Sequence, residues 1–243
     1  EAQPARDASR REAAAALAAA TGATAGRPLL LGCGYLRHLP DEAAAGVEAA
    51  RALVGPVRLL DGCCGLPWRQ AGDAAGADAA ARALAGAAGG QTVLAVDPGC
   101  ALALRRQGVA VRPLVEEAAA QLPRLRPGAR DPDRRVRYHD PCHLGRGLGL
   151  YEAPRAILGR VLGAPPDEFD ERREGAACSG GGGMLPVAMP DVARQIARAR
   201  VESHAGSGGG EIVTACASSL RSFRAAGAPA SDLVTWIARA LRS

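Results

Sequence analysis

The sequence predicts an α/β protein made of two pseudo-repeated halves, each a small, mostly parallel sheet with flanking helices. Three observations predict this fold class. Short apolar runs alternate with helix-length segments, which is typical of parallel strands joined by crossover helices. The chain of 243 residues is long enough for two cores. Its cysteines lie beside glycines at the carboxyl ends of the predicted strands, and they recur in the same order in both halves.

The first half covers residues 27–124. It follows residues 1–26, which we interpret as a linker and an alanine-rich helix. Asp41 is the expected N-cap of the first helix in this half, and Gly55-Pro56 marks its end. Strands are predicted at 28–31, 57–60, 92–96 and 109–113, and helices at 41–54, 72–87, 101–107 and 115–122.

The second half covers residues 136–243 and repeats this alternation. It is preceded by residues 125–135, which are rich in proline, arginine and glycine and are interpreted as a linker. The sequence begins with Glu1 rather than methionine, which is typical of a fragment or a processed chain. Strands are predicted at 136–139, 168–169 and 212–215, and helices at 153–162, 190–204, 217–226 and 231–241.

Composition excludes several function classes. Every basic residue apart from histidine is an arginine, and the arginines are interleaved with acids, so we predict no nucleic-acid partner. No run of 18 apolar residues exists, so we predict no membrane span. Ser9-Arg10-Arg11 resembles the start of a twin-arginine export signal, but Glu12 and the weakly hydrophobic alanines favour a helix. We expect a cytoplasmic protein, or one held peripherally at the inner face of the membrane.

Seven cysteines are an odd number, so they cannot all pair in disulfides within one chain. Any single one is explained as core packing, but that reading does not explain why they gather at strand-to-helix turns. Ligands of open α/β sheets bind at this edge, and glycine lets the backbone approach a bulky ligand. We therefore predict that they bind metal. The predicted ligands are Cys33, Cys63, Cys64 and Cys100 in the first half and Cys142, Cys178 and Cys216 in the second.

The two halves can be superimposed on their cysteines. Between Cys64 and Cys100 lie 35 residues, as they do between Cys142 and Cys178. An offset of 119 residues also aligns the strand before Cys216, whereas spacing alone would allow Cys100 to match Cys216. The preferred matches are Cys33 with Cys142, Cys63-Cys64-Gly65 with Cys178-Ser179-Gly180, Asp97 with Cys216, Cys100 with Ser219 and Gly108 with Gly227.

This order of cysteines resembles the duplicated cysteine-rich "CCG" domain. That domain occurs in the cysteine-rich catalytic subunit of heterodisulfide reductase and in iron–sulfur subunits of glycolate-oxidase and lactate-utilisation systems. The stretch from Tyr138 to Arg146, YHDPCHLGR, is also similar to the second repeat of this family. The resemblance covers residues 27–226. It departs from the family pattern at Asp97, Ser179 and Ser219, which stand where the family has cysteine.

The resemblance implies an iron–sulfur electron-transfer subunit with a [4Fe–4S] cluster in the first half, a second cluster being left open. It implies a ferredoxin-like 4Fe–4S domain or subunit and a flavin-containing dehydrogenase subunit as partners. No catalytic residue is assigned. The alternatives are a structural zinc site and a degenerate interaction domain, and His143 or Ser179 remains open as a fourth ligand in the second half. The predicted cofactor-binding residues are Gly65, Gly99, Ser179, Gly180 and Gly181.

Overall fold

The chain divides into two compact units, Glu1–Glu117 and Ala118–Ser243, in a computed structural model that describes residues 3–128 and 135–242. Residues 129–134 of the predicted linker lie outside the described residues, as do the terminal residues of the predicted 1–26 and 136–243 segments. The boundaries expected at residues 27, 124 and 136 stay predictions.

The first unit is built on a parallel sheet in the order β2-β1-β3-β4. Leu29 of the central strand pairs with Leu59 on one side and with Leu94 on the other. These inner strands are short and apolar because helices cover both faces of such a sheet. The strands are β1 (Arg27–Leu30), β2 (Val57–Leu59), β3 (Val93–Ala95) and β4 (Val111–Pro113).

Helices connect these strands. Asp41 is not the N-cap of its helix, because the helix starts one residue earlier, at Pro40, whose fixed φ suits a first turn. Asp41 lies in that first turn, where its charge favours the helix dipole. Gly55 ends the helix with a positive φ, as predicted. The helices are α1 (Gln3–Thr21), α2 (Cys33–His38), α3 (Pro40–Val54), α4 (Leu66–Gln70), α5 (Ala74–Ala88), α6 (Pro98–Arg106) and α7 (Leu114–Ala120), which crosses the division.

The second unit repeats the plan, with a parallel sheet in the order β6-β5-β7-β8. The central strand β5 pairs with β6 and β7, as β1 pairs with β2 and β3. Two parallel sheets with the same strand order confirm the predicted fold class of pseudo-repeated α/β halves. The strands are β5 (Val136–His139), β6 (Asp167–Glu168), β7 (Glu211–Thr214) and β8 (Ala230–Asp232).

Strand β8 lies where a helix was expected from residue 231. The helix begins two residues later, since Asp232 caps it by accepting a hydrogen bond from the backbone N–H of Val234 at 2.9 Å. A core of Phe169, Ile212 and Phe223 packs beneath the sheet. The helices are α8 (Glu152–Leu162), α9 (Leu185–Ala188), α10 (Pro190–Gly206), α11 (Ala217–Ala225) and α12 (Leu233–Leu241), with short 3-10 turns at Leu122–Arg124 and Arg173–Gly175 and a π turn at His143–Gly147.

The described helices include none that combines the length and the apolar character needed to cross a bilayer.

Candidate metal centre

The four cysteines of the first unit lie at one edge of its sheet. Cys33 opens α2 just after β1, Cys63 and Cys64 form the turn after β2, and Cys100 lies in the first turn of α6 after β3. Because parallel strands end at the same edge, these turns bring residues far apart in sequence together. All seven cysteines are within the described residues, and none is in a disulfide.

The thiols of the first unit form a chain of contacts. Hydrogen bonds link Cys33 to Cys63, Cys63 to Cys64, and Cys64 to Cys100. Cys63, Cys64 and Cys100 are buried, and Cys33 is half-buried. The chain of contacts therefore gathers four soft sulfur ligands in a largely water-excluded place.

These contacts raise the thiol pKa values. The pKa of Cys33 rises well above its usual value, first through its hydrogen bond to Cys63 and second through burial. The hydrogen bond with Cys64 lowers the pKa of Cys100, but burial and the charge of Asp97 outweigh it and raise that pKa to about 12. The thiols are therefore protonated unless a cation takes the place of the protons, as a coordinated metal does.

Arg10 is a component of this site that the sequence pattern does not reveal. It is buried, its Nε donates to the carbonyl of Asp61 at 2.6 Å, and its side chain hydrogen-bonds Cys33. Asp7 pairs with the same guanidinium from one turn earlier in α1. Arg10 thus brings a positive charge to the thiol edge. The run Ser9-Arg10-Arg11 by itself predicts only part of a helix.

Backbone N–H groups also point at sulfur. The N–H of Gly65 donates to Sγ of Cys63 at 3.4 Å. Gly65 has a positive φ, and a Cβ there would lie 2.4 Å from the carbonyl oxygen of Ala77, so only glycine fits. Gly99 is buried in the first turn of α6, next to Cys100.

The second unit places its cysteines at the corresponding edge, but more openly. Cys142 follows β5 and is exposed, Cys178 is exposed, and Cys216 is buried as the N-cap of α11. The charge of Cys178 reaches Cys142 and, after burial, is the next cause of a raised Cys142 pKa. The N–H of Gly180 donates to Sγ of Cys178 at 3.3 Å, which repeats the Gly65 bond of the first unit.

Two buried serines fill the remaining thiol positions. Ser179 and Ser219 share a hydrogen bond of 2.9 Å between their Oγ atoms. They correspond to Cys64 and Cys100, whose thiols make the matching contact in the first unit. The second unit therefore keeps the contact but lacks two of its sulfur ligands, and hydroxyls deprotonate too reluctantly to replace thiolates.

Strand register supports the offset of 119 residues. Leu30 pairs with Ala95 in the first sheet, and His139 pairs with Thr214 in the second. Helix α6 and helix α11 then begin at matching residues, with Asp97 and Cys216 as their N-caps. Asp97 caps through its carboxylate, which accepts from the backbone N–H of Cys100 at 3.1 Å. The alternative match of Cys100 with Cys216 does not fit this register.

An ion network fixes the turn before Cys142. Asp140 is buried and accepts two hydrogen bonds from Arg155, both 2.8 Å, and one from the backbone N–H of Arg173 at 2.8 Å. Arg155 also binds Glu168 at 2.7 and 2.8 Å. Burial raises the pKa of Asp140, but these bonds outweigh it and lower that pKa below its usual value. Nothing in the sequence pattern singles out Arg155 for this role.

His143 is half-buried beside Cys142 and stays a possible ligand only. The neighbouring His139 is buried between Phe169 and Phe223, with burial as the main cause that lowers its pKa to about 3, so it is neutral. Across the described residues, no three histidine, cysteine, aspartate or glutamate side chains converge on one point as a single metal ion would require. The assignment of individual ligands therefore stays a prediction.

Comparison with known proteins identifies relatives of this chain. The family model described as the CCG cysteine-rich domain matches residues 136–223, which confirms the resemblance predicted from the cysteine order. One component of the dihydromethanophenazine:CoB–CoM heterodisulfide reductase of Methanosarcina acetivorans is 38% identical over 84 residues, which are 35% of this chain and 20% of that protein.

Two other relatives extend the comparison. One component of the fumarate reductase (CoM/CoB) of Methanothermobacter marburgensis is 31% identical over 180 residues, 70% of this chain and 36% of that protein. A probable membrane-anchored ferredoxin of Chromohalobacter salexigens is 52% identical over 54 residues, 22% of this chain and 8% of that protein. The chain thus spans a minor part of the length of each relative.

Proposed function

Because residues 136–223 belong to the CCG cysteine-rich family, we propose that this chain is an iron–sulfur electron-transfer subunit of a reductase complex. The observation that carries the proposal is the buried contact chain of Cys33, Cys63, Cys64 and Cys100 at one sheet edge. Four thiolates are the usual ligand shell of a [4Fe–4S] cluster. Such a cluster would supply one-electron transfer when bound.

Several neighbours suit a sulfur-rich anionic centre. Arg10 offsets negative charge at Cys33, and the N–H of Gly65 points at Cys63. Hydrogen bonds and positive charge near cluster sulfurs raise the reduction potential. Asp97 is occupied as a helix cap, so it supports the first turn of α6 rather than acting as a ligand.

Zinc is the alternative occupant of four thiolates. A structural zinc ion requires four ligands around one point, whereas the described thiols touch in sequence without such convergence. Iron–sulfur proteins among the relatives favour the larger centre: two of them carry the description "uncharacterized iron-sulfur protein". We therefore rank zinc second.

We propose an unequal pair of sites. In the second unit, Cys142, Cys178 and Cys216 are three sulfur ligands, and the Ser179–Ser219 bond stands in place of the missing pair. The first unit is therefore the stronger cluster site. The second unit holds at most a centre with one iron open to an external ligand.

The proposed role is an electron relay rather than a substrate-converting site. The relatives are named as reductase components and a ferredoxin, and we propose a ferredoxin-like 4Fe–4S domain or subunit and a flavin-containing dehydrogenase as partners. The complex that these partners form would set the organic substrate.

Anaerobic purification tests the proposal by quantitation of iron, sulfide and zinc together with EPR. We expect about four iron and four sulfide per chain from the first unit. Cys64→Ser should abolish that signal, and the matched Cys142→Ser should leave it. Stoichiometric zinc without sulfide would replace the proposal with the zinc alternative. A chain without either metal would support the degenerate interaction domain.

A further inference from the structure

A groove of about 240 Å³ opens on the surface of the second unit between α10 and α11. Its floor is the backbone of Gly180 and Gly181, which follow Cys178 and Ser179. The groove thus borders the turn that carries the exposed thiol. It takes no part in the thiol chain of the first unit.

The floor is shaped by the absence of side chains. A Cβ at Gly180 would lie 2.4 Å from the carbonyl oxygen of Ala193, and one at Gly181 would lie 2.4 Å from that of Ser218. The turn therefore lies directly against both helices. On the helix walls, Ala193 and Ala197 are buried and too small to fill the space. The result is a preformed recess.

The rim is strongly basic. Arg194 and Arg198 lie one turn apart on α10, and Arg221 faces the groove from α11. Arg194 pairs with Asp191 on its own helix. With three guanidinium groups and that one paired carboxylate, the rim keeps a surplus of positive charge that favours an anion.

The approach to the groove is apolar. Pro186 and Pro190 line it, and α9 between them carries Val187 and leads to Met189. These two are the large apolar side chains that stand out as exposed among the described residues, at 62% and 54%. An apolar wall next to basic residues is what a ligand with an anionic head and an apolar body requires.

We propose that this groove binds a small organic carboxylate with an apolar body. The planar guanidinium fork binds carboxylate through two parallel hydrogen bonds, and three such groups border the recess. Ser218 and Ser222 add hydroxyl groups for the polar end. The volume fits a ligand of about ten non-hydrogen atoms, smaller than a drug-sized compound. This binding does not depend on a bound cluster.

The test uses the full-length chain and 4-fluorobenzoate as probe, with 19F NMR line width as the readout. A ligand of this size should bind with a Kd of about 1 mM or below. 4-Fluorobenzamide has the same shape without charge, and acetate has the charge without the apolar ring, so both should bind at least about fivefold more weakly. Equal binding of benzoate and benzamide would overturn the proposal.

Variants locate the binding. The double variant Arg198→Gln/Arg221→Gln should weaken 4-fluorobenzoate binding about tenfold or more. Ala197→Leu should block it by filling the groove with the arginines intact. The control Arg239→Gln removes an exposed arginine on α12, outside the groove, and should leave binding unchanged. Unchanged binding in the double variant, or equal loss in the control, would show that the probe binds elsewhere through general charge and would refute the assignment.

Discussion

Replacement of Arg155 by methionine should destabilise the second unit strongly. Arg155 is 9% exposed and neutralises Asp140, whose side chain is 2% exposed. Methionine keeps the aliphatic stem but leaves the carboxylate with only the N–H of Arg173 as a donor among its described hydrogen bonds. Breaking a buried pair from one side costs about 3–5 kcal/mol, because the remaining charge stays buried without its partner.

Urea unfolding followed by tryptophan fluorescence measures this loss. The chain has two tryptophans, and Trp236 is buried in the second unit, so a Trp68→Phe background isolates its signal. Asp167→Asn is the matched control. It removes the exposed Arg135 pair, whose N–O distance is 3.2 Å, and should cost less than about 1 kcal/mol because solvent screens exposed charges.

The deficit of Arg155→Met should depend on pH. In the native chain the pKa of Asp140 is lowered, so the network contributes fully above the unfolded value of 3.8 and is lost as pH falls through the folded pKa. Without the guanidinium, burial raises the pKa of Asp140, so its protonation near pH 4.5 relieves the buried charge. The deficit should therefore be smaller at pH 4.5 than at pH 7. A deficit below about 1 kcal/mol, equal at both pH values, would refute the reasoning.

Three further outcomes are expected. Arg10→Gln should make the midpoint potential of the proposed first-unit centre more negative by about 60 mV, a tenfold change for a one-electron couple, in an EPR redox titration; an unchanged potential would contradict a charge effect. Gly180→Ala should lower thermal stability by about 1–3 kcal/mol, and more than Gly183→Ala, because both have positive φ but only Gly180 lacks room for a Cβ. Ser179→Cys/Ser219→Cys should raise iron bound per chain in reconstitution, and no gain would argue that the second edge cannot close around a cluster.

Much of the fold follows from local signals. Apolar runs of strand length predicted β5 at its observed bounds, and the Asp97-Pro98 pair marked the start of α6. The repeat was predictable because a strand, a cysteine turn and a helix recur at matched spacing. The elements that these signals miss are short: α2, α4, α9 and β8 span three to six residues, too few for a periodic pattern.

The site was harder to predict in its details. The sequence placed Ser179 and Ser219 as lost ligands, but it could not show that they bond to each other, because 39 residues separate them. Arg10 and Arg155 were two among 30 basic residues in a chain where arginine covers the surface. Only tertiary packing distinguishes a buried arginine from a solvated one.

The Ser179–Ser219 hydrogen bond gives the molecule a built-in reference. Both units share strand order and cysteine turns, yet one copy carries thiols at this contact and the other carries hydroxyls. Exposure to air or an alkylating reagent can modify the thiol pair and leaves the hydroxyl pair intact. Damage to the two copies in one sample can therefore be compared under identical conditions, which separates loss of sulfur chemistry from loss of the fold.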